Sequence, residues 1–237
     1  MNSKRQHKDF EEMMNQLNQV DSHFCIKKSY SLLKRPVYLM AKRLIDILFS
    51  SFLLVLLFPL LFFVAILIKL RDGGSIFYIS TRVGLHGKHF SFPKFRSMVL
   101  KAEAMKQTMK NENDHGSDQV TFKIKNDPRV TWVGQWIRRF SIDELPQLWC
   151  VLIGEMTLVG PRPPIPDEVK MYSLKERHRL DVVPGITCIW QVSGRGDIPF
   201  PEQMKMDLEY IKKRNMVFDC YILLKTIPAV ISGRGAY

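Results

Sequence analysis

The apolar residues of this chain are distributed very unevenly. Ile47–Ile68 runs without one charged side chain, longer than the roughly 20 residues a helix needs to cross the hydrocarbon core of a bilayer. The run is apolar on every face and has no comparable partner helix elsewhere in the chain, so a buried core helix explains it poorly. Residues 34–72 are therefore expected to form a membrane-embedded segment. Upstream, residues 1–33 form a polar extension with an Asn/Gln-rich run at Asn15–Gln19. The spacing of Phe10, Met13, Met14 and Leu17 there is compatible with one short amphipathic helix. The apolar run begins too late, and is too long, for the h-region of a cleaved signal peptide.

Two details bear on how the segment meets the bilayer. Pro59 lies near its middle, where proline removes a backbone donor and clashes with the preceding turn. Lys42 and Arg43 precede it and Lys69 and Arg71 follow it, and basic flanks favour the cytosolic side. Two geometries stay open on these residues. One is a helix broken at Pro59 that returns to the same face; the other is a kinked single span.

From Gly73 onward the pattern is that of a water-exposed domain. Ser75–Ile79 and His89–Arg96 predict two strands, joined by a turn that contains Gly84 and Gly87. Helices are predicted over Val99–Lys110, Trp132–Arg139, Asp143–Leu152, Glu202–Ile211 and Phe218–Val230. A polar loop is expected at Asn111–Ser117 and a rigid proline-rich loop at Gly160–Pro166. The expected fold class is α+β, mostly helical with a small β-hairpin or sheet, over residues 73–237.

Charge narrows the partners. Lys and Arg number 35 against 23 Asp and Glu, a formal charge of +12, which calls for anionic partners. No nucleic-acid motif accompanies it; an anionic lipid surface or phosphate-bearing small molecules explain it as well. Cys25, Cys150, Cys188 and Cys220 share no C-x-x-C spacing and are expected as reduced, buried thiols. A P-loop, a G-x-G-x-x-G turn and an H-E-x-x-H helix are all missing, as is the Asp-x-Asp pair of many nucleotide-sugar enzymes. His86 and His89 sit in a glycine-bearing loop and are expected in solvent.

Four stretches carry candidate chemistry. In Arg138-Arg139-Phe140-Ser141-Ile142-Asp143-Glu144-Leu145-Pro146-Gln147-Leu148, two adjacent carboxylates follow two arginines. Pro146 belongs in a first helical turn, so a helix should begin near Asp143. On the plain structural reading, Ser141 or Asp143 is an N-cap and Glu144 closes a capping box with Ser141. On the functional reading, the positive helix end and the arginines keep Asp143 ionised as a nucleophile toward phosphorus, and Glu144 helps to bind a Mg2+ that bridges phosphates. In Lys94-Phe95-Arg96, the two cations fall on one strand face, suited to phosphate oxygens or to a solvated edge. In Gly160-Pro161-Arg162-Pro163-Pro164, prolines fix the backbone around one arginine. In Ser193-Gly194-Arg195-Gly196, glycines allow close backbone approach to a ligand.

Taken together and in order, these blocks resemble the bacterial sugar transferases, the monotopic phosphoglycosyl transferases. The resemblance runs from about Lys42 to Tyr237. It rests on Lys42-Arg43 with Asp46, Arg82-Val83-Gly84, Lys94–Met98, Asp127-Pro128-Arg129-Val130-Thr131, Ser141–Leu148, Val159–Pro163, Pro184-Gly185-Ile186-Thr187 and Gly235-Ala236-Tyr237. The chain departs from the family pattern at Phe58, Ser80-Thr81, Cys150 and Cys188; none of these touches the Asp-Glu pair. It resembles the compact members, without the four additional spans of the larger ones.

The resemblance implies a reaction that initiates exopolysaccharide, capsule or O-antigen synthesis. A sugar 1-phosphate, with a hexose such as glucose or galactose, would pass from a UDP-sugar to polyprenyl phosphate with release of UMP. It implies Asp143 as the nucleophile of a two-step, Mg2+-dependent route, with Glu144 at the metal and Asp207 as a weaker metal candidate. Lys94, Arg96, Arg138, Pro161, Arg162, Pro163 and Arg195 would bind phosphate or substrate. It implies a monotopic protein with a re-entrant helix broken at Pro59, interfacial amphipathic helices (Phe218, Tyr221, Ile222, Leu224 and Lys225 on one of them) and a catalytic domain over 73–237 on the cytosolic face of the bacterial inner membrane. A homodimer is left open, and nucleic acid is not an expected partner. The rival is a non-catalytic, membrane-anchored anion-binding scaffold, which would not need Asp143.

Overall fold

The computed structural model describes residues 36–102, 104, 105, 127–233 and 235. The N-terminal extension, the loop expected at 111–117 and most of the helix expected at 99–110 lie outside the described residues. The chain divides into two compact units, Met1–Arg43 and Leu44–Tyr237. Pro36–Arg43, the described part of the first, is helical. The second unit holds the rest of that helix, both sheets and every candidate site residue.

Helix α1 (Pro36–Asp72) contains the whole apolar run and remains helical through Pro59. It is long and apolar enough to cross a membrane, and only 11% of its most apolar stretch is buried. Leu48, Phe52, Val55, Leu56, Phe58 and Phe62 are exposed. The few inward positions are Asp46, Ser50, Val64 and Ile68. A core helix would show the opposite ratio, so an apolar medium is what this surface fits.

Strands β1 (Phe77–Val83) and β2 (His89–Phe95) form the expected antiparallel hairpin, in a register that pairs Arg82 with Phe90 and Tyr78 with Lys94. The first strand starts two residues later than expected and extends through Val83. His86 and His89 are exposed. Helix α2 (Trp132–Arg139) has the expected limits. It is capped by the Thr131 hydroxyl, which accepts from the Gly134 N–H.

The next helix differs from expectation. Ile142–Gln147 is a 3-10 turn, and α3 begins only at Leu148 and runs to Ile153. Pro146 fits this: in an α-turn its ring would clash with the carbonyl of residue 142, which the tighter turn avoids. After it come β3 (Thr157–Val159), α4 (Pro166–Lys170), α5 (Leu174–Arg177), β4 (Gly185–Thr187), α6 (Ile189–Ser193), α7 (Phe200–Lys213) and α8 (Met216–Ser232). β3 and β4 pair in parallel, a second sheet that the sequence pattern does not predict.

Two apolar clusters hold the unit together. One gathers Phe90, Phe92, Leu148, Val151, Met156, Leu158, Val159, Tyr210 and Ile222; Leu53 and Leu54 of α1 lie against it. The other joins Val64 and Ile68 of α1 to Phe95, Val133 and Ile137. On α8, Ile222 and Asp219 face inward, whereas Val217, Tyr221, Leu224, Ile227 and Ile231 are exposed. The apolar row expected on that helix is thus shifted, because Asp219 is used inside, where it meets the Tyr210 hydroxyl at 2.8 Å. Of the described cysteines, Cys150 and Cys188 are buried as expected, but Cys220 is exposed.

Candidate active site

Asp143 and Glu144 occupy the first turn of the 3-10 segment, which packs against β2. Glu144 is held by two cations. Arg162 forks onto it, Nη2 to Oε1 at 2.6 Å and Nη1 to Oε2 at 3.2 Å, and Lys94 Nζ reaches Oε1 at 2.7 Å. Burial alone would raise the Glu144 pKa; the charges and hydrogen bonds of Arg162 and Lys94 outweigh it and hold the carboxylate far below its ordinary range.

Asp143 behaves in the opposite way. It is buried, and burial raises its pKa to about 6, with Lys94 opposing and the Glu144 charge adding to the rise. Two adjacent carboxyls whose surroundings push their pKa values apart are the mark of divided chemical roles. At neutral pH both are ionised, one locked in an ion-pair cage and the other not.

The capping-box reading fails here. Ser141 has a left-handed backbone (φ 54°) and makes no side-chain cap. Its hydroxyl instead accepts from Arg195 Nη2 at 3.2 Å. Glu144 is taken up by Lys94 and Arg162, not by the Ser141 N–H.

The arginine loop is rigid for a visible reason. Gly160 N donates to the Thr187 carbonyl at 3.0 Å, and Gly185 N donates to the Pro161 carbonyl at 2.9 Å. The backbones approach so closely that a Cβ on Gly185 would lie 2.1 Å from Gly160 N, so the parallel β3–β4 pair depends on that glycine. Pro161 and Pro163 are buried on either side of Arg162, which fixes the guanidinium on Glu144.

The expected site residues do not all converge. Lys94, Arg162 and Arg195 gather around the Asp143–Glu144 pair: the first two bond Glu144, and the charges of both carboxylates act on Arg195. Arg138 feels the Asp143 charge while its Nε donates to Ser97 Oγ at 3.0 Å. Arg96 goes elsewhere. It leaves β2 at its end and pairs with Asp72, the last residue of α1, so the shared strand face with Lys94 is not realised. Asp207 is fully buried against Arg179, Oδ2 to Nε at 2.7 Å. Among the described residues, no set of three His, Cys, Asp or Glu side chains forms a metal cluster.

Two contributors are not apparent in the sequence. Phe92 lies under three cations: Arg82 Cζ is 5.0 Å from the ring centroid, Lys94 Nζ 5.6 Å and Arg162 Cζ 6.0 Å. The ring face attracts each cation, against burial and the neighbouring Arg162 charge, which lower the Arg82 pKa to about 10. Arg82 also donates to the Pro163 carbonyl at 3.2 Å, and its buried Nε has no hydrogen-bond partner among the described residues. The available signal is the period of two, which puts Phe92 on the same strand face as Lys94. The result is a side-chain cluster in which Arg82, Lys94, Arg162 and Arg195 exceed the two carboxylates in charge, suited to a phosphate-bearing ligand.

The carboxylate pair also suits Mg2+, which is commonly held by one or two carboxylates with substrate phosphates completing its shell. Asp143 would be the main ligand, since Glu144 spends both oxygens on Arg162 and Lys94.

Comparison with known proteins shows the family. The chain is 40% identical over 205 residues to the exopolysaccharide production protein ExoY of Rhizobium meliloti, covering 86% of this chain and 91% of that protein. It is 42% identical over 198 residues to the undecaprenyl-phosphate galactose phosphotransferase of Salmonella typhimurium, covering 83% of this chain and 41% of that protein. It is 38% identical over 222 residues to the undecaprenyl-phosphate glucose phosphotransferase of Komagataeibacter xylinus, covering 87% of this chain and 39% of that protein. The bacterial sugar transferase pattern itself matches residues 37–233, the span that holds α1, both carboxylates and their cations, and the chain belongs to the bacterial sugar transferase family.

Proposed function

We propose that this protein moves a hexose 1-phosphate from a UDP-sugar to undecaprenyl or another polyprenyl phosphate, releasing UMP, as the first membrane step of a polysaccharide pathway. The single observation that carries the reading is the contrast within the carboxylate pair: Glu144 is caged by Arg162 and Lys94, while Asp143 beside it is left to react. An Asp143 oxygen attacks the sugar-linked phosphorus, the bond to the UMP phosphate breaks, and UMP leaves. An oxygen of the lipid phosphate then attacks the same phosphorus and frees Asp143. Arg162, Lys94, Arg82 and Arg195 neutralise the transferred and bridging phosphate oxygens, which is most of what phosphoryl transfer requires of a protein. Mg2+ held chiefly by Asp143 would supply further charge neutralisation on the diphosphate. By their names, the two undecaprenyl-phosphate phosphotransferases support a hexose and an undecaprenyl-phosphate acceptor, and the exopolysaccharide production protein supports the pathway class.

The test is UMP release from UDP-glucose, UDP-galactose and the UDP-N-acetyl sugars, with polyprenyl phosphate in lipid. Release with a UDP-hexose, lost on addition of EDTA, is expected. Release from none of these donors rules the reading out, and full activity in EDTA removes the metal. The pH profile adds a check. A nucleophilic carboxylate whose pKa is about 6 works above that pH, so kcat/KM should be level above pH 7 and fall about tenfold per unit below about 6.

In this reading the protein is monotopic, on the cytosolic face of the inner membrane, with α1 entering and leaving the same face through a bend at Pro59. Support comes from the two flanks of its apolar run. Asp46 accepts from Thr157 Oγ1 at 2.6 Å and from Leu158 N at 3.0 Å, while Asp72, at the other end of the apolar run, pairs with Arg96. Those residues are about 39 Å apart along a straight helix, more than the roughly 30 Å hydrocarbon core. A water-exposed unit on one side of a bilayer grips both only if both emerge on that side. Exposed Trp132, Trp136, Trp149, Tyr221 and Leu224 would sit at the interface, which favours amphipathic aromatics. Tags at Lys34 and after Tyr237 are expected on the same face; opposite faces would refute the return.

A further inference from the structure

Three described residues other than glycine have positive φ: His86, Ser141 and Arg195. His86 sits in an exposed turn. The other two lie at the site and touch each other, Arg195 Nη2 donating to Ser141 Oγ. They come from distant parts of the chain. Ser141 ends the arm Arg139-Phe140-Ser141 that leads into the carboxylate turn; Arg195 stands on the arm Gly194-Arg195-Gly196 after α6. A left-handed side-chain-bearing residue persists only where its surroundings over-determine it, so something must hold Arg195.

The segment after α8 does so. Gly196 N donates to the Gly235 carbonyl at 3.2 Å. Gly235 itself has φ +65°, and a Cβ there would lie 2.5 Å from the Gly194 carbonyl oxygen and 3.1 Å from both Arg195 Cβ and Gly196 N. Two residues earlier, Gly233 (φ +63°) closes α8, and a Cβ on it would lie 2.8 Å from Arg139 Cγ. The segment thus touches both arms, Arg139 through Gly233 and Gly194–Gly196 through Gly235, and each contact requires a missing side chain.

We propose that Gly233 and Gly235 form a positioning strap that spaces the Arg139–Ser141 arm from the Gly194–Gly196 arm, and so sets the Arg195 guanidinium beside Asp143 and Glu144 to receive a donor phosphate. The Ser141 hydroxyl is a neutral acceptor, so a phosphate oxygen, which makes a stronger charge-assisted bond, displaces it. The strap does no chemistry; it acts through Arg195. Its effect on turnover rests on the proposed transferase function. The contact does not.

Gly235→Val and the milder Gly235→Ala test it in the full chain, reconstituted in lipid. With a UDP-hexose donor, Gly235→Val is expected to lower kcat/KM by about tenfold to a hundredfold, the scale of a misplaced binding group. In an Arg195→Ala background the same substitution should add no further loss. Equal losses in both backgrounds would mean a general structural defect and overturn the strap, as would no loss in either. Amide exchange supplies an arm that needs no substrate. Residues 194–197 should exchange faster in Gly235→Val while Met204–Ile211 of α7 stay protected, and unchanged exchange at 194–197 overturns the contact. If the wild type releases no UMP from any donor, the transferase reading fails, and the exchange result still decides the strap.

Discussion

Asp143→Asn is expected to lower UMP release by about four orders of magnitude or more, the scale seen when a covalent nucleophile is removed. The substitution keeps the shape of the side chain and removes only the charge and the nucleophilic oxygen pair. The hydrogen bonds of the cage do not involve it, since Arg162 and Lys94 donate to Glu144. The variant should also fold at least as well as the parent. The Asp143 pKa is higher folded than unfolded, so the folded state gives up relative stability as pH rises from about 4 to about 6, and removing the charge restores it above that range. A dead variant with an equal or higher Tm at pH 8 is the expected pair of results. Asp143→Glu carries the oxygens one methylene further and should lose about a hundredfold or more. Unchanged turnover in Asp143→Asn would exclude Asp143 as the nucleophile, whereas no turnover in the wild type would return the scaffold as the better account.

Asp207→Ala is expected to destabilise the domain by about 3–5 kcal/mol, the usual result of stranding a buried charge. Arg179 has little solvent to turn to, its side chain being 5% exposed, and its other partner is the Tyr172 hydroxyl at 2.6 Å. For a chain of this size that is a Tm drop of roughly 10 °C or more. The pair is not a source of stability in itself. Burial raises the Asp207 pKa, with Arg179 and Trp190 opposing, so the double variant Asp207→Leu with Arg179→Met should recover much of the loss. Thermal melts of the single and double variants check this. A normal Tm combined with an increased Mg2+ requirement in Asp207→Ala would instead make Asp207 a metal ligand.

The two carboxylates show how far the site is legible in the chain itself. Their adjacency, the preceding arginines and Pro146 mark the turn, and the turn is there. The 3-10 geometry is beyond reach, because an α-turn and a 3-10 turn share their polar pattern and differ only in which carbonyl is reached. Lys94 and Arg96 show the opposite case. Alternation places them on one face, and the strand ends between them, sending Arg96 to Asp72. Phe92 is invisible as a site residue because a buried aromatic on a strand reads as core until three cations are found over it.

By itself the sequence determined the features that depend on composition and near neighbours. These are the apolar segment with its basic flanks, the hairpin, the limits of α2, the excess positive charge, and the stiffness of the loop around Arg162. Short-range sterics and the hydrophobic effect act on local strings of residues, and strings are what a sequence displays. Only the tertiary structure decided which cations meet Glu144, that Asp207 serves Arg179, that three-residue strands β3 and β4 pair in parallel, and that residues on both flanks of the apolar run are tied to one unit. Each of these joins residues far apart in the chain, and three residues carry no period. Close approach between Gly160 and Gly185 is a property of two backbones, which neither segment records alone.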